Sequence, residues 1–129
     1  MKQDAKAELI GILRRFCSAF TDRDPDAVLR LCAPDTELVV VTSENAPLRG
    51  SHQLRSFLGR YVDGPVTYSW EWNRYDVSIT GSCAWLLAEG QETAASGERL
   101  EVHPYRMTMV LTRSETGWLI RQVHGSSPQ

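Results

Sequence analysis

The chain has 129 residues, 42% of them hydrophobic, and a formal net charge of −2 from 14 basic and 16 acidic side chains. That length suits one compact domain, residues 1–129, burying roughly two-thirds of its unfolded surface. The interspersed charge excludes a nucleic-acid face, and no apolar run approaches the ~20 residues of a membrane span. Cys17, Cys32 and Cys83 form an odd set without a close-spaced pair, which points away from a disulfide framework or a zinc site. They read as buried thiols of a cytoplasmic protein, and the charged N-terminus lacks the apolar segment of a signal peptide. No metal or cofactor is expected.

Leu9, Ile10, Leu13, Phe16, Cys17 and Phe20 recur at three- and four-residue spacing, predicting an amphipathic helix from about residue 4 to residue 20. Thr21-Asp22-Arg23 breaks it. Asp24-Pro25 then supplies an N-cap and a proline at the first helical position, opening a short helix through Val28, Leu29 and Cys32. Ala33-Pro34-Asp35 ends that helix. Glu37 to Thr42 is a strand apolar on both sides, and Asn45 to Gly50 is a loop. Ser51 caps a third helix with its apolar stripe at Leu54, Phe57, Leu58, Tyr61 and Val62, stopped by Gly64-Pro65.

The remainder reads as an antiparallel meander. Val66, Tyr68, Trp70 and Trp72 are apolar at even positions, whereas Tyr75, Val77 and Ile79 are apolar at odd ones. Side chains alternate along a strand, so the change of parity predicts a β-bulge near Asn73-Arg74 and a strongly bent sheet. After the turn Thr80-Gly81-Ser82, the apolar face is assigned to Cys83, Trp85 and Leu87, with Glu89 and Gln91 following at the same parity. The final hairpin turns at Ser114 to Gly117. Pairing Arg113 with Trp118 sets Leu111 opposite Ile120, Met109 opposite Gln122 and Met107 opposite His124. Its inner face then begins apolar and ends polar at Gln122, His124 and Ser126, as in the wall of a one-ended cavity. The opposite face carries Arg106, Thr108, Val110, Arg121 and Val123, and is assigned to a dimer interface.

Helices followed by antiparallel strands give an α+β fold class. Several segments in order carry a more specific likeness: Phe20 with Asp24-Pro25-Asp26, Leu48-Arg49-Gly50, Val77 to Trp85, Arg106-Met107-Thr108, and Trp118 with His124-Gly125-Ser126. Together they resemble the SnoaL-like branch of the nuclear transport factor 2-like, cystatin-like superfamily. The ending is also similar to the association domain of calcium/calmodulin-dependent protein kinase II. The resemblance implies a cone-shaped α+β barrel: N-terminal helices packed in the concave face of a strongly bent, mostly antiparallel sheet, as a homodimer joined through that sheet. Its members include isomerases, cyclases, dehydratases and hydrolases as well as noncatalytic domains, so fold does not transmit function. The ketosteroid isomerase positions fall on Phe16 and Val40, which can neither donate to an oxyanion nor accept a proton. A pocket arginine of the association domain falls on Ala88.

What remains is the polar end of the predicted wall. A turn at Ala95-Ser96 would set Glu89 near His103 and Tyr105, with His124 one strand beyond. Trp70, Trp72, Trp85, Tyr105, Met107 and Gln122 are the expected ligand-binding residues. The primary expectation is a domain that binds a small, mainly apolar or aromatic molecule. The alternatives are an acid–base enzyme working through His124 and Glu89 as tentative catalytic residues, and a homo-oligomerisation domain.

Overall fold

The computed structural model describes residues 2–34, 37–42 and 46–128; Asp35 and Asn45, placed in turns above, lie outside the described residues. Helix α1 spans Lys2–Thr21 and buries Leu9, Ile12, Leu13, Phe16 and Cys17, the face its spacing dictates. Each fully buried leucine of this kind contributes roughly 1.5–3 kcal/mol of transfer free energy. Helix α2 spans Pro25–Arg30, and its entry is as expected: the Asp24 side chain accepts the Ala27 amide at 3.2 Å with proline in the first turn. Helix α3, Gly50–Asp63, begins two residues earlier than a cap at Ser51 would place it. Ser51 is not its cap: Arg49 holds that position with no side-chain cap, and its amide donates instead to Gln53 Oε1 at 2.7 Å.

Six strands form one sheet: β1 (Val39–Val41), β2 (Leu48–Arg49), β3 (Thr67–Thr80), β4 (Cys83–Ser96), β5 (Arg99–Ser114) and β6 (Gly117–Ser126). Their spatial order is β2-β1-β6-β5-β4-β3. Every pairing is antiparallel except β1 with β6, so the sheet is mostly antiparallel, curved and open at both edges rather than closed. Leu48–Arg49, read as loop, is a short strand because it returns along β1.

The bulge expected in β3 is present. Trp72 pairs with Gly90 and Arg74 with Glu89, leaving Asn73 as the extra residue. The strand accordingly turns Tyr68, Trp70 and Trp72, then Tyr75, Val77 and Ile79, to the helix-covered face. Glycine at 90 is required by this bulge, because a Cβ there would overlap the Glu71 carbonyl and the Trp72 Cα.

A second bulge, which the sequence reading did not include, lies in the last hairpin. Arg113 does pair with Trp118 and Leu111 with Ile120, but Val110 then meets Gln122 and Met109 meets Val123. Arg121 is the extra residue. One inserted residue reverses the facing of everything beyond it. Val123 and Gly125 therefore turn inward, whereas Gln122 and His124 are exposed beside Thr108 on the outer face.

The turn between α1 and α2 is held by a single side chain. Arg23 adopts a left-handed backbone (φ 59°) and sends its guanidinium into the α3–β3 connection. There it donates to the carbonyls of Val62 (2.8 Å), Gly64 (2.9 Å) and Val66 (3.0 Å) and to the Thr67 hydroxyl (2.8 Å). It also lies 5.2 Å from the Tyr61 ring centroid.

The thiols of Cys17 and Cys32 are buried, and desolvation pushes both up to about 12, with the Trp72 indole offsetting a little of the shift at Cys17. Their ionisation in the unfolded chain, near pH 9, comes first. The stability these two neutral thiols contribute is therefore fully present below pH 9 and is lost as pH rises from 9 towards 12. Ellman's reagent at pH 8 is expected to modify partly exposed Cys83 in the native protein and to reach Cys17 and Cys32 only after unfolding. Equal rates for the three thiols would contradict this.

Candidate functional site

Between the helices and the sheet lies a hollow of about 300 Å3. Phe16 and Phe20 of α1 and Phe57, Arg60 and Tyr61 of α3 form its helical side. Tyr68 and Trp70 of β3, Glu92 of β4, Tyr105 and Met107 of β5, and Val123 and Gly125 of β6 form the sheet side, and Val40 to Thr42 also border it. The walls owe their aromatic character to contacts that hold the rings in place. Phe20 lies 4.5 Å from Tyr61 and 5.6 Å from Trp70, and Trp70 lies 6.4 Å from Tyr105, centroid to centroid.

One polar row interrupts this wall. Trp70, Glu92 and His103 are direct cross-strand partners on β3, β4 and β5, so their side chains project on the same face. Trp70 Nε1 donates to Glu92 Oε2 at 2.9 Å, and His103 Nε2 stands 3.1 Å from Glu92 Oε1. Glu92 is only 7% exposed and borders the hollow, whereas the His103 side chain is 37% exposed. Such a pair can pass a proton between a buried carboxylate and solvent, the imidazole being the wet end. Nearby, Tyr105 packs against Gly125, where a Cβ would collide with its hydroxyl, so the glycine lets the phenol lie across β6. Burial raises the Tyr61 phenol above its usual 10; the Tyr68 amide, which donates to its oxygen at 3.1 Å, and the Arg23 charge partly offset this.

The placement of the sequence-derived residues is mixed. Trp70, Tyr105 and Met107 border the hollow. Trp72 faces inward but borders a separate polar groove of about 600 Å3 between α1 and β3, with Arg14, Asp22 and Glu71. Trp85, 47% exposed, and exposed Gln122 are on the outer face. His124 and Glu89 are exposed there as well, with β5 between their strands, and do not enter the hollow. Glu89 pairs with Arg106, not His103. Val123, assigned to the outer face, is 2% exposed within the core.

Glu92 was missed, although a signal existed. Thr80 pairs with Cys83 across the β3–β4 turn, so inward Ile79 sits opposite Ala84. Counting from that turn makes Ala84, Leu86, Ala88, Gly90 and Glu92 the inner row. Both parities of this strand begin apolar, and the bulkier Trp85 drew the assignment to the wrong one. In β6 the apolar positions change from even (Trp118, Ile120) to odd (Val123), the same sign that revealed the β3 bulge. Phe16 and Val40, at the ketosteroid isomerase positions, both border the hollow and offer it no proton donor or acceptor side chain. Among the described residues, no group of three or more His, Cys, Asp or Glu side chains is placed to hold a metal ion. No helix among them is long and apolar enough to cross a membrane.

The profile of the SnoaL-like domain family matches residues 11–129. The chain belongs to the SnoaL-like domain family. Solved structures agree on the fold of this SnoaL-like domain. An NTF2-like superfamily protein from Salmonella enterica superposes with a TM-score of 0.88 at 19% identity, covering 100% of this chain and 94% of its own. A protein provisionally assigned as a dehydratase of the NTF2-like family, from Streptomyces avermitilis, gives 0.86 at 17% identity, with 98% and 99% covered. One from Thiobacillus denitrificans, provisionally assigned as a calcium/calmodulin-dependent protein kinase type II association domain, gives 0.74 at 18%, with 92% and 93% covered. At these identities the likeness is one of fold. Among curated proteins, none matches the SnoaL-like chain significantly.

Proposed function

We propose that this SnoaL-like domain binds a small, mainly aromatic or apolar molecule in the hollow between its helices and sheet, with a polar end group directed at Glu92. The observation that carries this reading is an aromatic-walled space of about 300 Å3 with a single buried carboxylate, among the described residues, on its border. Concave, mostly apolar sites with few placed polar groups are the usual form of small-molecule pockets. His124 and Glu89, on the outer face, leave the acid–base alternative without the pair it was built on.

Neutral 2-naphthol is a suitable probe, because Trp70 borders the hollow and reports through its fluorescence. Saturable quenching is expected in the wild type. The variant Val40→Trp, which projects an indole into the space, should weaken it about tenfold or more while circular dichroism stays native, a loss of at least ~1.4 kcal/mol. Undiminished binding by the filled variant would place the probe elsewhere and remove the proposal.

We also propose that two copies associate through the outer face of the sheet. Trp85 is 47% exposed there, and Leu87, Val110 and Leu119 are only half-buried beside it. Arg106 and Thr108 give the same face the polar rim typical of interfaces. Light scattering should report twice the chain mass for the wild type and a single-chain mass for Trp85→Glu. An unchanged mass in the variant would count against this interface.

A further inference from the structure

The chemistry of the hollow narrows its occupant further, and this inference rests on the binding reading above. We infer that the ligand carries a cationic nitrogen, a protonated amine or quaternary ammonium, attached to a compact aromatic or aliphatic body. Glu92 brings a carboxylate to the border of the space, held in place by Trp70 and His103 on either side. Phe20, Tyr68, Trp70 and Tyr105 line the same space with their rings; Tyr61 lines it too but already carries the Arg23 guanidinium 5.2 Å from its centroid. Aromatic faces carry the negative side of the ring quadrupole, and a cation over them gains about 0.5–2 kcal/mol, most at tryptophan and most when desolvated. Carboxylate and ring faces therefore attract the same charge, and a neutral or anionic group forfeits both.

The opposing feature is Arg60, which borders the space from α3. Its side chain is exposed at the last turn of the helix and free to extend into water, where salt and solvent screen it. Glu92, by contrast, is 7% exposed and tied on both oxygens, so its charge acts at shorter range and lower dielectric. The buried anion sets the preference.

A matched probe series tests this: phenethylammonium and benzyltrimethylammonium against 2-phenylethanol and 3-phenylpropionate, titrated by calorimetry at pH 8. Both cations are expected to bind about tenfold more tightly than the alcohol, and the carboxylate more weakly still. In Glu92→Gln that advantage should shrink to about twofold or less, while Arg60→Ala should improve cation binding a few-fold. Equal or tighter binding of the alcohol or the carboxylate overturns the inference and leaves the cavity reading standing; so does a cation preference that survives Glu92→Gln. Failure of all four probes removes this inference alone if 2-naphthol still binds, and both readings if it does not. Should Glu92→Gln not fold, the wild-type order of the four probes decides the matter alone.

Discussion

Replacing Arg23 with alanine is expected to lower the free energy of unfolding by about 3 kcal/mol, among the larger effects a single surface-reaching side chain can have. Four hydrogen bonds from one guanidinium tie the end of α1 to the α3–β3 connection, and three of their acceptors are backbone carbonyls. Bonds from a charged donor contribute more than neutral ones, and losing the donor strands carbonyls that are only partly solvated. The group is half-buried, so the sum is well below four times the value of an ideal charged bond. Arg23→Lys should recover only part of the loss, because one ammonium cannot span the four acceptors of the planar fork. Arg23→Gly separates the two contributions: it removes the strain of φ 59° and keeps the loss of the bonds. Urea unfolding with a shared slope measures all three. A loss under about 1 kcal/mol for the alanine variant would show that water satisfies those carbonyls instead.

Gly90→Ala is expected to cost about 3 kcal/mol as well, by a different route. The β3 bulge drives the Glu71 carbonyl and the Trp72 Cα into the space a Cβ would need, and both are backbone atoms that cannot swing aside. Relief requires unmaking the bulge, and that would turn Trp70 and Tyr68 away from the hollow. The matching control is Gly59→Ala, on the exposed side of α3 with open space around it. That change should stabilise the protein by roughly 0.5–1 kcal/mol through helix propensity. Thermal unfolding of the pair reads both signs. If Gly90→Ala melts with the wild type and still binds 2-naphthol, the bulge does not depend on this glycine.

Much of the architecture was legible because its causes are local. Asp24-Pro25 begins a helix whatever surrounds it, since the cap and the fixed proline φ act within a few residues. The parity change between Trp72 and Tyr75 forces a bulge for a geometric reason that needs no partner strand. The blank isomerase positions, Phe16 and Val40, were also legible, since residue type alone decides whether a side chain can move a proton.

The polar end of the site was not legible in the same way. Residue types gave two carboxylates on β4, Glu89 and Glu92, and two histidines on the following strands, His103 and His124. Which of them look inward depends on pairing register, and register is a long-range property. A single inserted residue at Arg121 sent His124 to the outer face and turned Val123 and Gly125 inward. The hairpin register of β4, set from the turn at Gly81-Ser82, put Glu92 beside Trp70 and His103 and exposed Glu89. Likewise, nothing near Arg23 in the chain announces its acceptors, which lie 39 to 44 residues away.

By itself, then, the order of residues determined the elements, the α+β class and the aromatic character of the interior, because periodicity, capping and residue chemistry act at short range. Only the folded sheet decided which acid and which histidine meet at the hollow. Alternation makes facing an all-or-none outcome of strand pairing, and one bulge is enough to exchange the two sides.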